Sequence, residues 1–369
     1  MIVLLIICQL AFPALMQEIP SSTISDGPYL FLQEEGTIKS ITIVENELEI
    51  STISITDGIA EIPTSIPSVP IILISQALNK IPLATVAMPD KLLAVSDIEG
   101  NLDQLLQFLQ VHSVIDSEYN WNWKNNHLLF NGDSVDRGEQ VTELLWFIRK
   151  LQQQATDAGG QVHFVLGNHD VMILADDIRY THPKYKIVVE KSGIPYHQLF
   201  ADMTVLGQWL RNQNSAVQIG AYLFVHAGYS PELNRLNLSL NEINTNIRKT
   251  IGPPAWPDRD VLATSLAWHS KGPLWYRGYF DAHAEKYGPK PTEEELQLIL
   301  KQHNAEAIIV GHTVTGDVGY LDGNKHLIGI DVHWDTPGKG QGLLISNGTL
   351  KRLLMNGDST ELIHIKTED

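Results

Sequence analysis

Five apolar runs, far apart in this 369-residue chain, each end on a side chain able to ligate a metal, and that pattern restricts the fold more than any other feature. Leu92 to Val95 leads into Asp97-Ile98-Glu99-Gly100, and Leu128 to Phe130 leads into Asn131-Gly132-Asp133. Val162 to Leu166 delivers Gly167-Asn168-His169-Asp170, Tyr222 to Val225 delivers His226, and Ala307 to Val310 delivers Gly311-His312-Thr313. Short continuous apolar runs are the mark of strands buried on both faces. Amphipathic helical segments lie between them: Leu102, Leu105, Leu106 and Leu109 share one helical face, as do Val141, Leu144, Leu145, Ile148 and Leu151. A further helix is expected from Pro291-Thr292, where Thr292 and Glu295 have capping-box spacing. Strands alternating with such helices predict a layered α/β fold, in which loops after the carboxyl ends of strands gather at one edge.

Residues 88–369 carry this texture. Residues 18–87 are rich in Ile, Thr, Ser and Pro, and the alternation in Ile38 to Ile43 and Leu48 to Ile55 predicts a small β-rich N-terminal subdomain. Ahead of it, the uncharged run Ile2 to Leu15 has the length of a signal-peptide core and is too short to span a bilayer, which takes about 20 apolar residues. Residues 1–17 are therefore expected to be a cleaved signal, with export to a periplasm or the exterior and no membrane span afterwards; a buried first strand is the other reading of the run.

Charge and cysteine usage remove several chemistries. A formal net charge of -17 argues against a nucleic-acid partner, whose phosphates are held by clustered Lys and Arg. It leaves phosphorylated ligands open, because bound cations can supply a local positive field. The one cysteine, Cys8, lies in the N-terminal apolar run, which excludes thiolate metal sites and cysteine nucleophiles from the rest of the chain.

One polar residue after a strand is ordinarily a cap or a satisfied core group. Five in succession on strand ends suit a pair of divalent ions. Asp133 is the natural bridging carboxylate, with Asp97 and Glu99 completing one site and Asn168, His226 and His312 the other. Oxygen and imidazole donors without sulfur suit Mn²⁺ foremost, with Fe, Zn²⁺ or Mg²⁺ also compatible.

The series Asp97-Ile98-Glu99-Gly100, Gly132-Asp133-Ser134-Val135-Asp136-Arg137-Gly138, Gly167-Asn168-His169-Asp170, Val225-His226-Ala227-Gly228 and Gly311-His312-Thr313 resembles the motif order of the metallophosphoesterases, in their phosphoprotein-phosphatase-like branch. Asp177-Ile178-Arg179-Tyr180 and Gly272-Pro273-Leu274-Trp275-Tyr276-Arg277-Gly278 look like the Shewanella-like phosphatase group in particular. The resemblance runs from about Lys91 to the C-terminus. It implies a calcineurin-like layered α/β-sandwich and hydrolysis of phosphate monoesters by a serine/threonine- or tyrosine-type protein phosphatase, on a phosphorylated protein or peptide or on a small phosphomonoester. The nucleophile implied is a hydroxide held between the metals, attacking phosphorus in line.

In that scheme His169 is the general acid for the leaving oxygen and Asp136 orients its imidazole, although an Asp there also suits a cap for the helix that follows. Arg137 is placed to grip phosphate oxygens, and Arg277 is the second clamp by resemblance, or else a surface Arg beside a Trp-Tyr pair. Glu99 departs from the family, which usually has His at that position. A carboxylate makes the first site harder and more anionic, or else weakens it to leave a mononuclear enzyme. The Asp331-Val332-His333-Trp334 stretch also departs, and His333 is expected either at the rim of the site or packed away. Two other functions stay open: hydrolysis of nucleotides or bis-nucleoside polyphosphates on the same centre, and a non-catalytic exported protein that binds metal. The absence of a second His shortly after Gly311-His312 favours monoesters over diesters, and the set Asp136, Arg137 and His169 favours an enzyme over a binding protein.

Overall fold

The structure is a computed structural model that describes residues 23–75, 80–252 and 260–367. The apolar run Ile2 to Leu15 read as an export signal, with Cys8 inside it, lies outside the described residues. Among those described, no helix is long and apolar enough to cross a membrane.

The N-terminal part consists of strands β1 (Asp26–Leu32), β2 (Thr37–Val44) and β3 (Glu47–Ser54), which form an antiparallel three-stranded sheet, and β4 (Ile59–Pro63) and β5 (Ile71–Ser75), which pair as a hairpin. The expected alternation buries Ile38, Ile41 and Ile43 of β2. It does not bury β3, an edge strand whose Leu48 and Ile50 are exposed and whose Glu47 and Glu49 discourage edge pairing.

Next come β6 (Thr85–Val86), β7 (Lys91–Val95), α1 (Leu102–Val111), β8 (His127–Asn131), α2 (Val141–Asp157), β9 (Gln161–Val165), α3 (Asn168–Leu174), α4 (Pro183–Ser192), α5 (Val205–Asn212), β10 (Ala216–Ile219) and β11 (Tyr222–Val225). The remainder holds α6 (Pro231–Arg235), α7 (Leu240–Thr250), α8 (Ala284–Tyr287), α9 (Glu293–His303), β12 (Ala307–Val310), β13 (Gly319–Leu321), β14 (Leu327–Gly329), β15 (Gln341–Ser346), β16 (Thr349–Leu354), β17 (Ser359–Glu361) and β18 (Ile363–Ile365). The leucine stripes of α1 and α2 are buried, and Thr292 caps α9 in a reciprocal box with Glu295.

Two mixed sheets carry the site. One has the order β17-β16-β15-β7-β8-β9, the other β18-β13-β14-β12-β11-β10-β6. Within the first, β7, β8 and β9 run parallel; within the second, β11, β12 and β14 run parallel. Their carboxyl ends are stitched together, since the Asn131 side-chain amide donates to the Val225 carbonyl, the Leu166 amide to the Asn214 carbonyl and the Trp334 indole to the Ser96 carbonyl. Loops from both sheets therefore meet at one rim.

The N-terminal strands are docked on this body by buried polar contacts. The Trp146 indole donates to the Pro28 carbonyl, and Lys184 on α4 lies 2.8 Å from both Asp26 and Glu143.

Candidate active site

The site is assembled from the turns after β7, β8, β9, β11 and β12, and its backbone is held in unusual conformations. Asp97, Glu99, Asp133, Asp136, Arg137 and His312 all have positive φ, between 49° and 69°. Non-glycine residues reach that region at a cost of order 1–3 kcal/mol, so the surrounding packing imposes it. Gly132 has φ of 94°, and a β-carbon there would collide with the His226 imidazole and the Gly167 backbone. A β-carbon on Gly311 would collide with the side chains of Ser96 and Asp97. These two glycines let the loops of opposite sheets touch.

Asp133 sits at the middle. Its carboxylate lies 3.1 Å from His226 Nε2 and accepts the His169 backbone amide at 2.9 Å. The Asn168 amide oxygen is 3.1 Å from the same His226 nitrogen, while His226 Nδ1 faces the Asn131 carbonyl at 2.8 Å. That carbonyl fixes the ring so that Nε2 points inward, the orientation a metal-binding imidazole needs. His312 is buried, its Nε2 has no hydrogen-bond partner among the described residues, and its backbone amide donates to the Asp97 carboxylate at 3.1 Å. An unsatisfied imidazole nitrogen beside carboxylates is the mark of a group that awaits a cation.

Potential ligand atoms of Asp133, His226 and His312 lie within 4.8 Å of one another, and so do those of Glu99, Asp133 and His169. The residue chemistry therefore fits divalent metal. Asp97, Glu99, Asp133, Arg137, His169, Arg277 and His312 all line one cleft of about 290 Å³.

The electrostatics show carboxylates crowded in a dry pocket. Burial raises Asp97 to about 6, with the charge of Asp133 adding to the effect. Burial also opposes the charged form of Asp133, but His226 and His169 outweigh it and hold its carboxyl below the ordinary value. His226 feels the same field in reverse, pushed up to about 10 by Asp133 and Asp97 against its burial. Asp170 is raised to about 7 by burial and by Asp133. Its carboxylate accepts the amides of Gly167, Asp133 and Ser134, and so clamps two ligand loops together.

His169 stands at the wall of the cleft. Its Nδ1 donates to Asp136 at 2.9 Å, and Asp136 also accepts from the Thr181 hydroxyl at 3.1 Å. Burial works against a charged ring, yet Asp133 and Asp136 overcome it, and the His169 pKa is raised. Asp136 is thus engaged by His169 and Thr181, and the helix that follows has Gln140 at its N-cap position without a side-chain cap. Arg137 pairs with Glu99 and lies 3.3 Å from His169 Nε2, with its amide donating to the Tyr180 carbonyl. Tyr180 covers this group, its ring 5.0 Å from that of His169. Arg277 reaches the opposite wall, where it donates to the Thr313 hydroxyl at 3.2 Å.

Of the candidate ligands and catalytic groups named from sequence, Asp97, Glu99, Asp133, Arg137, His169, Arg277 and His312 line the cleft, while His226 and Asn168 lie behind Asp133 and Asp136 lies behind His169. Tyr180 lies over the site, whereas Trp209 and Tyr185 are core residues and His182 caps α4. His333 is on the rim, half-exposed and 3.7 Å from Asp335. One member of the cleft was missed. Asp331 is buried against Asp97 and Asp133, and burial followed by their charge drives its carboxyl far up. It follows the end of β14, but that strand is only three residues long and does not read as an apolar run, so the strand-end rule did not reach it.

Three comparisons bear on this geometry. A profile of the family described as calcineurin-like phosphoesterase matches residues 91–316. The crystal structure of a cold-active protein-tyrosine phosphatase from a psychrophilic Shewanella species superposes with a TM-score of 0.82 at 34% identity, covering 92% of this chain and 100% of that one. Shewanella-like protein phosphatase 2 of Arabidopsis thaliana is 31% identical over 123 residues, which span 33% of this chain and 29% of the relative. Shewanella-like protein phosphatase 1 of Plasmodium berghei is 28% identical over 228 residues, 60% of this chain and 61% of the relative. The chain therefore matches less than two thirds of the length of either of these two curated relatives.

Proposed function

Because this chain belongs to the calcineurin-like phosphoesterase family of metal-dependent hydrolases of phosphoric esters, we propose that it is a phosphomonoesterase acting on phosphorylated protein or peptide, with phosphotyrosine as its preferred ester. The observation that carries the two-metal reading is that Asp133 belongs to both groups of converging ligand atoms, one with His226 and His312 and one with Glu99 and His169. A carboxylate shared in that way is what a pair of ions requires. Asp97, Glu99 and Asp133 would hold one ion; Asp133, Asn168, His226 and His312 would hold the other. The first set, all oxygen, favours Mn²⁺ or Mg²⁺.

Divalent ions bound there supply a Lewis acid and lower the pKa of water, so no protein nucleophile is called for. The side chains do the remainder. His169, whose pKa Asp133 and Asp136 raise, would give a proton to the leaving oxygen. The guanidinium groups of Arg137 and Arg277 on the walls neutralise the phosphate oxygens. The phosphotyrosine preference is supported by the Shewanella enzyme described as a protein-tyrosine phosphatase, and by Tyr180, partly exposed beside His169 and able to stack on an aryl ester. Export of the chain is proposed on the apolar run Ile2 to Leu15.

The test uses the protein without residues 1–17, loaded in turn with Mn²⁺, Mg²⁺, Fe²⁺ and Zn²⁺, and offered phosphotyrosine and phosphoserine peptides and a bis-nucleoside polyphosphate. Turnover of phosphotyrosine with Mn²⁺, abolished in Asp133→Asn together with a fall in bound metal, is the expected result. Turnover confined to the nucleotide would move the assignment to polyphosphate hydrolysis. Metal binding without any turnover would make the chain a binding protein.

A further inference from the structure

One carboxylate on the wall of the cleft has no part in the scheme above. Asp331 is 4% exposed and lines the cleft with Asp97, Glu99, Asp133 and Asp335. The other four are engaged. Asp97 accepts from the Ser96 hydroxyl and the His312 amide, Glu99 pairs with Arg137, Asp133 lies 3.1 Å from His226, and Asp335 accepts from the Thr336 hydroxyl. The Asp331 carboxylate takes no hydrogen bond and no ion pair among the described residues. Of the charges around it, that of Asp97 acts most strongly, ahead of those of His226 and Asp133.

Its backbone is fastened to two of the ligand loops. The Asp331 carbonyl accepts from the Thr315 amide at 3.0 Å and the Thr315 hydroxyl at 2.8 Å, just past His312. On one side of it in sequence the Ile330 amide donates to the Val310 carbonyl at 2.8 Å; on the other, the Trp334 indole donates to the Ser96 carbonyl at 2.9 Å, beside Asp97. The turn after β14 is thus tied to the His312 loop and to the Asp97 loop together. A buried carboxylate without a donor costs several kcal/mol unless a cation lies near it. Arg277 shares the cleft but donates to the Thr313 hydroxyl. The cation left for Asp331 is the one that its strongest neighbour, Asp97, would hold.

We propose that Asp331 is a positioning residue of the metal centre, an outer carboxylate for the ion assigned to Asp97, Glu99 and Asp133. The inference rests on the two-ion reading of the site and adds a residue to it. Asp331 belongs to neither group of ligand atoms that converge within 4.8 Å, so it acts one shell out, across a water on the ion. Its charge adds to those of the three ligands, which reinforces the preference for a hard cation.

Mn²⁺ is titrated calorimetrically into the metal-free full chain and into Asp331→Asn, Asp331→Ala and Asp335→Asn, with free Mn²⁺ followed by electron paramagnetic resonance. The wild type should bind two ions. Both Asp331 variants should hold one of them about 10- to 100-fold more weakly and the other unchanged, the usual worth of an outer group. Asp335→Asn alters an exposed carboxylate on the same turn and should bind as the wild type does. Metal-free Asp331→Asn should melt no lower than the metal-free wild type, because an unpaired buried charge is removed, and should gain less from saturating Mn²⁺. Asp331→Ala keeps the binding test decisive if the Asn variant does not fold. The proposal is overturned if both Asp331 variants bind the two ions as the wild type does, or if Asp335→Asn weakens binding equally. It is also overturned if metal-free Asp331→Asn melts below the wild type, the outcome of a purely structural role. Fewer than two ions on the wild type itself would sink the two-ion reading, and the inference with it.

Discussion

Replacing Asp136 by Asn tests the acid half of the mechanism at a defined atom. The Asp136 carboxylate lies 2.9 Å from His169 Nδ1, and both side chains are buried, so solvent screens the pair little. A hydrogen bond to a charged partner is worth about 1.5–3 kcal/mol, and at 1.36 kcal/mol per unit its loss lowers the His169 pKa by about one to two units. His169 has a raised pKa, so the ring is protonated below that value and loses its proton as pH rises through it. In Asp136→Asn the basic limb of kcat therefore moves to lower pH. On an alkyl phosphate, whose leaving oxygen must be protonated, kcat at a pH above the new value should fall about 10- to 100-fold. His169→Gln should cost about 10² to 10⁴ on the same substrate. An aryl phosphate with a good leaving group should be nearly indifferent to both changes. The double variant should be no slower than His169→Gln alone, because the two residues act as one unit. Equal losses on alkyl and aryl substrates, or additive losses in the double variant, would refute the assignment of His169 as acid and Asp136 as its positioning partner.

Two further outcomes follow from named residues. Glu99→His exchanges a hard oxygen donor for an imidazole; after dialysis against equal Mn²⁺ and Zn²⁺, the variant should hold more zinc and less manganese than the wild type, read by metal analysis. Glu143, 2.8 Å from Lys184, has a carboxyl raised to about 7, first by burial and then by the charge of Asp26. A raised acid binds protons more tightly folded than unfolded, so the wild type loses stability as pH climbs from the ordinary Glu range to about 7; urea midpoints should show that slope flattened in Glu143→Gln.

The candidate metal ligands were legible because they stand at or just past strand ends. A buried parallel strand needs a continuous apolar run, and the first polar residue after it marks the rim. By that rule Asp97, Asp133, Asn168, His226 and His312 announce themselves, and so would Asp331, had β14 not been only three residues long. The stripes of α1, α2 and α9 were legible for a similar reason, since helical periodicity is local. The pairing of Arg137 with Glu99 was not legible: it depends on positive φ at both residues, which neither side chain specifies.

Sequence alone carried the five strand ends, the leucine stripes of α1 and α2, the donor chemistry of the candidate ligands and the confinement of cysteine to Cys8, all of which are properties of short stretches. Tertiary structure decided that Tyr185 and Trp209 are core residues, that Asp136 holds His169 in place of capping a helix, and that β3 stays exposed. It also decided that Arg149 is buried with no hydrogen-bond partner among the described residues. Helical spacing places Arg149 three residues from Trp146, but whether that stripe meets water or protein depends on the β4–β5 hairpin docking across it. Burial of a charge is set by what lies on its far side, and that is a long-range fact no local pattern contains.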